Sequence, residues 1–466
     1  MFTRILIREL ADLVLSLRFA MTAVLVVTLM AAGAALFVAD YRETMTDYRN
    51  QVNENLEGLR QQAGRRAALF RLLSFRDQRI YRTPNPMGFM AEGAEADLPN
   101  AFSVDAFVLH SPENLARKNP SLRPSRKLDW TFVVMLVLSF AGIALTYDGI
   151  SGERETQVLR LVMAHPVPRS TVILGKFAGA TACLMLLVVL GALIHLTILS
   201  FSGLAPLDLE LLTGVGAGLL LSGVYVSIFV MVGLFLSCLF RGSATSLVVC
   251  LLVWALLVVA VPNLGGILAS GLAELPAAEE VYRDGARARR EARDAYDRSH
   301  SDPNAWIMSG NWSPGEPLAR AIVADEAKER VYLNYWTQML GQARLGRMLT
   351  RLSPAAAYRY AMEGVAGSGL EHYARFMEQA RRYREGLKLF LLSKYPSGPD
   401  HPYSDEIRRK ALAVSVGFGE IPKFEEQLAK PSEALADALP DFLLLALWGV
   451  LAFAAAYVSF LRCDVR

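Results

Sequence analysis

Residues 148–177 read DGISGERETQVLRLVMAHPVPRSTVILGKF, a compact island of both charge signs between two long runs that carry almost no charge. Those runs decide the fold class. A stretch of about 18 or more uncharged residues can cross roughly 30 Å of hydrocarbon as a helix, because a helix satisfies its own backbone polar groups. One such run, 130–147, ends where the island begins, and the next, 177–203, starts where it ends.

Four further runs of this kind lie at 19–39, 211–240, 242–273 and 442–461, the last within a span 441–462. The 466 residues are 53% hydrophobic with a mean hydropathy of +0.29, and the apolar excess is packed into these blocks. Six spans predict an all-α polytopic membrane protein with both termini on one side. Short-loop basic residues identify that side. Arg4, Arg8, Arg18, Arg154, Arg160, Arg169, Lys176, Arg241, Arg462 and Arg466 all fall on it, whereas the short loop 202–210 opposite has none. Both termini and the hairpin 148–176 are therefore expected to be cytoplasmic, and the long polar segments 40–129 and 274–440 to lie outside. The fifth run meets Pro262 and then NLGGILASGLA, which reads as a kinked tract after the span.

Within 1–18, Leu6, Leu10, Leu13 and Leu17 recur at helical spacing with Arg4, Arg8, Glu9 and Asp12 off that face. This predicts an amphipathic helix on the inner membrane surface, or a plain extension of the first span. A cleaved signal peptide is the competing reading, but the apolar run exceeds a usual signal core.

The outer segments read as mainly helical. Met45, Tyr48, Val52, Leu56 and Leu59 continue the first span upward as one long helix through 41–73. Residues 276–300 hold favourable four-residue pairs such as Glu279 with Arg283 and Asp294 with Arg298, and 371–392 forms a third helical tract. SVDAFVL (103–109) and ALAVSVGF (411–418) are the strand candidates.

Little in the chain suggests catalysis. His110, His300, His372 and His401 are scattered, without a nucleophile or metal arrangement, so a polytopic enzyme lacks its groups. No CxxC or HExxH spacing occurs, and no metal site is expected. Cys183, Cys238, Cys250 and Cys463 sit in spans or at the cytoplasmic end, leaving the outer domain to be held by packing. A net charge of +3 is too small to argue for nucleic acid. His195 lies inside the third span, where ionisable groups are costly and often functional, unless it is a neutral histidine bonded to a neighbouring helix.

Within the island, Ser151 or Gly152 can cap a short helix with Glu153 and Glu155 in its first turn, and Pro166 and Pro168 stop it. Val158, Leu159, Leu161, Val162 and Met163 form an apolar face against lipid or spans. Glu153, Arg154, Glu155 and Arg160 are left for a cytosolic partner, while the next helix starts near Ser170 and runs through Lys176 into the third span.

These features resemble the membrane permease of type-2 ABC transporters. That family carries a GERE-like motif, a Leu-rich helix, a P-x-x-R turn and a GK pair between its second and third spans. Here they are Gly152 to Glu155, Leu159 to Met163, Pro166 with Arg169, and Gly175 with Lys176. The amphipathic helix before the first span matches as well, and the outer insertions resemble a subfamily with a large extracytoplasmic domain between spans five and six. Gln157 and Val158 depart from the Gly-Thr that many members place there.

The resemblance implies a coupling helix whose Asp148, Glu153, Arg154, Glu155, Leu159, Arg160, Pro166, Arg169 and Lys176 contact an ATP-binding subunit or lock the hairpin, with Arg160 and Arg169 as salt-bridge partners. It implies a route at the span interface, for which His195, Tyr225 and Pro262 are candidates, with the tract after Pro262 as a re-entrant cap. Gly175-Lys176-Phe177 lacks both the earlier glycine and the hydroxyl of a phosphate loop, so no cofactor is expected on this chain. ATP and Mg are expected on a partner ATPase in two copies, beside a second permease chain, identical or homologous, in a bacterial cytoplasmic (inner) membrane. Export of an unidentified substrate is the expected function. Mechanotransmission to an extracytoplasmic partner protein without translocation is the second reading.

Overall fold

Ser16 divides the amino-terminal sequence into helix α1 (Phe2–Val14) and helix α2 (Leu17–Gln62), and its hydroxyl caps the second by accepting from the Phe19 N–H at 3.2 Å. The computed structural model describes residues 2–63, 78–93, 98, 100–104, 128–164, 167–204, 208–299, 315–394 and 416–463. Along the chain then come β1 (Gln78–Tyr81), β2 (Ala101–Val104), α3 (Trp130–Ala144), α4 (Ser151–Glu155), α5 (Val158–Ala164), α6 (Arg169–Ser202) and α7 (Leu209–Leu239). After them follow α8 (Ser243–Leu272), α9 (Ala278–Ser299), α10 (Gly315–Thr350), α11 (Pro354–Ala366), α12 (Leu370–Lys394) and α13 (Pro431–Arg462).

Among the described residues, five helices are long and apolar enough to cross a membrane: α2, α6, α7, α8 and α13. The second expected span is shorter than the run 130–147, because the chain leaves the helix at Leu145 and turns through hydrogen bonds such as Tyr147 N–H to Ile143 O at 2.9 Å. α3 is enclosed by protein on most sides, with Trp130, Val133, Val134, Leu138 and Ile143 at most 1% exposed and Phe140 at 44%, so its length need not match the lipid. Helix α2 has 46 residues and is roughly 70 Å long. It continues beyond the apolar segment as one unbroken helix.

Two spans contain π-helical turns. In α3 they cover Val133–Leu138, where Met135 O accepts from Ser139 Oγ at 2.5 Å and from Tyr225 Oη at 2.9 Å. In α8 they cover Ala255–Ala260, where Leu257 O accepts from Ser353 Oγ and Val259 O from Asn263 Nδ2. Side chains from outside the ladder take up carbonyls that the wider turn releases. Pro262 follows directly, at the start of the regular helix Val261–Leu272, so the tract read as kinked is a helical continuation of α8.

Two inserted pieces close the bundle at the end away from the hairpin. The first is the strap 84–93, whose Phe89 and Met90 are 3% and 0% exposed. Its carbonyls accept from the start of α3, Trp130 N–H to Phe89 O and Thr131 N–H to Met90 O, each at 3.0 Å. The second is α11, PAAAYRYAMEGVA. Ser353 caps it, Pro354 occupies its first turn, and Gly367 at φ +63° ends it. Its alanines let it lie against α7 and α13, and Tyr358 stacks on Tyr225 with centroids 4.4 Å apart. Asn85 Nδ2 of the strap donates to Ala366 O at 2.6 Å, joining the two pieces.

One apolar core therefore runs from the spans into both inserts. A second core, around Leu59, Ile80, Phe102, Tyr373 and Phe376, belongs to the polar domain. There β1 and β2 pair antiparallel, Ile80 opposite Phe102, against α2 and α12. Of the strand candidates, Ser103 and Val104 lie in β2, and 105–109 and 411–415 fall outside the described residues; 416–418 is not a strand. Helices α9 and α10 form an antiparallel pair held by Arg289 with Asp325 at 2.9 Å and by Arg320 with Asp297.

At Gly364 of α11 an added Cβ would stand 3.2 Å from Ala438 N, Cα and Cβ of α13. Backbone cannot yield there as a side chain would. Gly364→Val is expected to lose about 1–3 kcal/mol, read as a lower thermal unfolding midpoint in detergent; an unchanged midpoint would mean that α11 is not wedged against α13.

Candidate functional site

The hairpin that follows α3 is held by charges, each of which reaches a different helix. Asp148 meets Arg18 Nη1 of α2 at 2.9 Å, while Arg18 Nη2 donates to Tyr147 Oη at 2.9 Å and the guanidinium lies 4.9 Å over the Tyr147 ring. The N–H groups of Ile150 and Ser151 both donate to Ser237 Oγ of α7 at 3.0 Å. This corrects the expected cap: Ile150 occupies the N-cap position of α4, and a serine from another span supplies the oxygen. Ser151 itself is buried, with its hydroxyl on Tyr147 O at 3.1 Å.

Lys176 lies two turns inside α6 and is 6% exposed. Its Nζ donates to Glu153 of α4 at 2.7 Å and to Glu9 of α1 at 2.8 Å. The adjacent glycine makes this geometry available. A Cβ on Gly175 would stand 2.6 Å from Ile5 Cγ2, and one on Gly179 3.0 Å from Glu9 Cβ, so the glycines let α1 lie directly on α6. Two carboxylates around one ammonium offset the cost of desolvating it.

Arg154, Arg169 and the exposed Glu155 each reach a further span. Arg154 Nη2 donates to Cys238 O of α7 at 3.4 Å and contacts Cys463 Sγ beyond the end of α13. Arg169 donates to Leu461 O at 2.8 Å and to Cys463 O at 3.1 Å, meeting the last carbonyls of α13 where a cation is favoured. Glu155 accepts from Ser243 N–H and Ser243 Oγ, each at 2.8 Å, and so caps the first turn of α8. Those two bonds hold its carboxyl below the usual range.

Glu153 and Arg154 are thus half-buried and engaged with the spans rather than left facing the surroundings. Leu159 is 1% exposed, and Pro166 lies outside the described residues. The open side of the hairpin presents Thr156, Gln157, Arg160, Leu161 and Ala164, with Leu161 68% exposed. Between α4 and α5 the chain bends at Gln157, whose φ of +61° is the only positive value on a non-glycine among the described residues. The position that departs from the Gly-Thr pattern is therefore one where glycine is conformationally at home.

The three route candidates do not share one site. His195 Nδ1 meets Gly191 O of its own helix at 3.1 Å, not a neighbouring helix, and its ring stacks on Phe89 at 5.5 Å. Tyr225 is buried in the seam with α3 and α11, beside Ser222, whose hydroxyl is 2.8 Å from Tyr358 Oη. Pro262 lines a cavity of about 500 Å³ at the domain end, bounded by α3, α8, α10, α11 and the last strap residues. Asp129 also lines it, accepting from Phe132 N–H at 2.7 Å and Glu92 N–H at 2.9 Å. Burial pushes its carboxyl up to about 6 despite those bonds.

Neither insert was anticipated from the sequence. The strap PNPMGFMAEG carries, after two prolines, two methionines and a phenylalanine apolar enough for burial. The flanks of α11, Ser353-Pro354 and Gly367, are helix boundary signals that stand in the sequence. Among the described residues no group of three or more His, Cys, Asp and Glu could hold a metal ion, and the four cysteines are buried and form no disulfide.

Gln157→Gly is expected to raise the unfolding midpoint by an amount equivalent to about 1 kcal/mol, and Gln157→Val to lower it, because only the first relieves the left-handed backbone. A neutral Asp129 is favoured by the fold. Its contribution to stability is complete below the unfolded value of about 3.8 and is lost as pH rises through about 6. The unfolding midpoint of the native chain is expected to fall across that interval, and Asp129→Asn, which keeps an oxygen acceptor, to flatten this part of the pH profile.

A family model described as "ABC-2 family transporter protein" matches residues 3–465, nearly the whole chain. No curated protein matches it. The match takes in the charged hairpin, the spans and the polar domain together, and the chain belongs to the ABC-2 transporter family as a multi-pass membrane permease.

Proposed function

We propose that the hairpin is the socket for a separate ATP-binding subunit and that this chain converts the subunit's ATP cycle into movement of the spans, to export a substrate. The supporting observation is the reach of the charges at the hairpin. Asp148, Glu153, Arg154, Glu155, Arg169 and Lys176 join it to α1, α2, α6, α7, α8 and α13. A force applied to α4 and α5 is delivered to all of them at once. Because Glu153, Arg154 and Lys176 are engaged with the spans, contact with the motor falls to the open side, around Leu161, Arg160 and Gln157.

In this reading the hairpin and both termini face the cytoplasm of a bacterial inner membrane, two permease chains stand over two ATPases, and ATP and Mg are bound by those partners. A second reading keeps the motor and drops the translocation. The shared core of spans, strap and α11 favours it, since any shift of α7 or α13 must carry the inserted pieces and the polar domain with it.

The test is mild detergent purification of the tagged chain with mass spectrometry of what accompanies it. An ATP-binding subunit is expected with the native chain, and its recovery is expected to drop at least about tenfold, equivalent to ~1.4 kcal/mol, with Leu161→Glu/Arg160→Glu at an unchanged unfolding midpoint. If no ATPase accompanies the native chain under any mild condition, the coupling reading fails.

A further inference from the structure

Helices α7 and α13 pack against each other and run the same way. Leu211 and Leu435 line one cavity at the domain end, and the spacing from Leu211 to Cys238 equals that from Leu435 to Cys463 to within one residue. The two helices therefore finish level, α7 at Leu239 and α13 at Arg462. Each has a cysteine at its finish, Cys238 in the last turn of α7 and Cys463 at the C-cap of α13.

Both cysteines are turned into the same core, at 5% and 8% exposure. A single nitrogen, Arg154 Nη2, touches both residues, contacting Cys463 Sγ and donating to Cys238 O at 3.4 Å. The thiols are near enough for a charge on one to be felt at the other. Packed helix axes are about 8–10 Å apart with Cα atoms about 2.3 Å from each axis, so facing Cα atoms come within the range of about 4.4–6.8 Å that a disulfide spans. Cys183 and Cys250 instead lie inside α6 and α8, away from the helix ends.

The two cysteines also sit beneath the hairpin. Ser237, next to Cys238, accepts the N–H groups of Ile150 and Ser151 that open α4. Cys463 O accepts from Arg169 at 3.1 Å, at the start of α6. A bond between the cysteines would join the two places where the hairpin is seated.

We propose that Cys238 and Cys463 form a thiol modification site, closed to a disulfide by a hydroperoxide and reopened by a dithiol, and that the closed form clamps the hairpin on α7 and α13. In the first step the Cys463 sulfur attacks the peroxide. An S–O bond forms, the O–O bond breaks, and the thiol proton leaves with the departing oxygen as water. The Cys238 sulfur then attacks that of Cys463. The S–S bond forms, the S–O bond breaks, and the hydroxyl leaves as water with the Cys238 proton. Two thiols lose two electrons and one peroxide gains them. The thiolate is the attacking form, and Arg154 is the cation beside it. The bond is independent of ATPase coupling, and only its meaning for the motor rests on that reading.

Hydrogen peroxide is added to the full-length chain in nanodiscs, remaining thiols are capped with N-ethylmaleimide under denaturing conditions, and peptides are mapped without reduction. A peptide pair linked through Cys238 and Cys463 is expected to dominate, with Cys183 and Cys250 recovered capped. Its rate of formation is expected to fall about tenfold in Arg154→Gln, equivalent to ~1.4 kcal/mol on the barrier. Hydrogen exchange across 150–164 is expected to slow about tenfold on oxidation, equivalent to ~1.4 kcal/mol, and to recover with dithiothreitol. Cys238→Ala and Cys463→Ala are expected to abolish that response, while unchanged unfolding midpoints under reducing conditions separate a lost bond from a damaged fold. Oxidation of Cys463 to a sulfinic acid without linkage would overturn the site. So would a Cys463–Cys463 link between two chains. A linked pair with unchanged exchange would overturn the clamp, and an equal rate in Arg154→Gln the role of its guanidinium. ATPase capture is read in parallel on the reduced chain: no linked pair with capture intact sinks the thiol site alone, and the reverse sinks the coupling reading alone.

Discussion

A lysine ammonium two turns inside a membrane helix is tolerable only with carboxylates at hand, and Lys176 has two of them from different parts of the chain. That requirement fixes where α1 lies, because Glu9 must reach across the glycines of α6. It also fixes the roll of α4, because Glu153 must face inward. Once α4 is oriented, Arg154 and Glu155 can point only toward α7 and α8, and their contacts follow. Removing the ammonium would leave two carboxylates facing each other beneath the hairpin. The other stitches are the Arg18–Asp148 ion pair and hydrogen bonds to carbonyls, N–H groups and hydroxyls at helix ends, which act on a helix this ion triplet has seated.

Much of the membrane part was legible because its physics is local. An uncharged run long enough to cross hydrocarbon announces itself, and so does the heptad-like continuation of α2 beyond it. The position of the hairpin and the identity of its charges could be read off the same way. Their direction could not. Whether Glu155 meets water, a partner or Ser243 depends on a residue 88 positions away, and the cap on α4 comes from Ser237, which no local pattern connects to Ile150. The strap and α11 were missed for a related reason. Their burial is imposed by the mouth of the bundle, whereas their own sequences are short, rich in small residues and without a long apolar period.

The two ends of the bundle differ in how much apolar packing they add to their polar ties. At the hairpin end, ion pairs and helix-end hydrogen bonds tie short elements to long ones. At the domain end, apolar packing of Phe89, Met90, Tyr358 and Met362 joins ion pairs such as Arg351 with Asp441 at 2.8 Å. The first kind of contact is directional and can exchange partners. The second depends on area and close fit, and two rigid pieces of the polar domain share it with the spans. The polar domain keeps its own core around Phe376, so it can hold its shape while being carried.

The π-helical turns of α3 and α8 bear on this difference. An inserted residue turns everything beyond it by about 100° relative to a regular helix. The halves of α3 and α8 on either side of residues 133–138 and 255–260 are therefore out of phase with each other. Each span shows one stripe to the hairpin end and an independently chosen stripe to the domain end. Met135 and Pro262 border the cavity from helices whose lower halves are clocked to suit a different set of neighbours. A single covalent rod thus behaves as two keys cut at different angles, one for each lock.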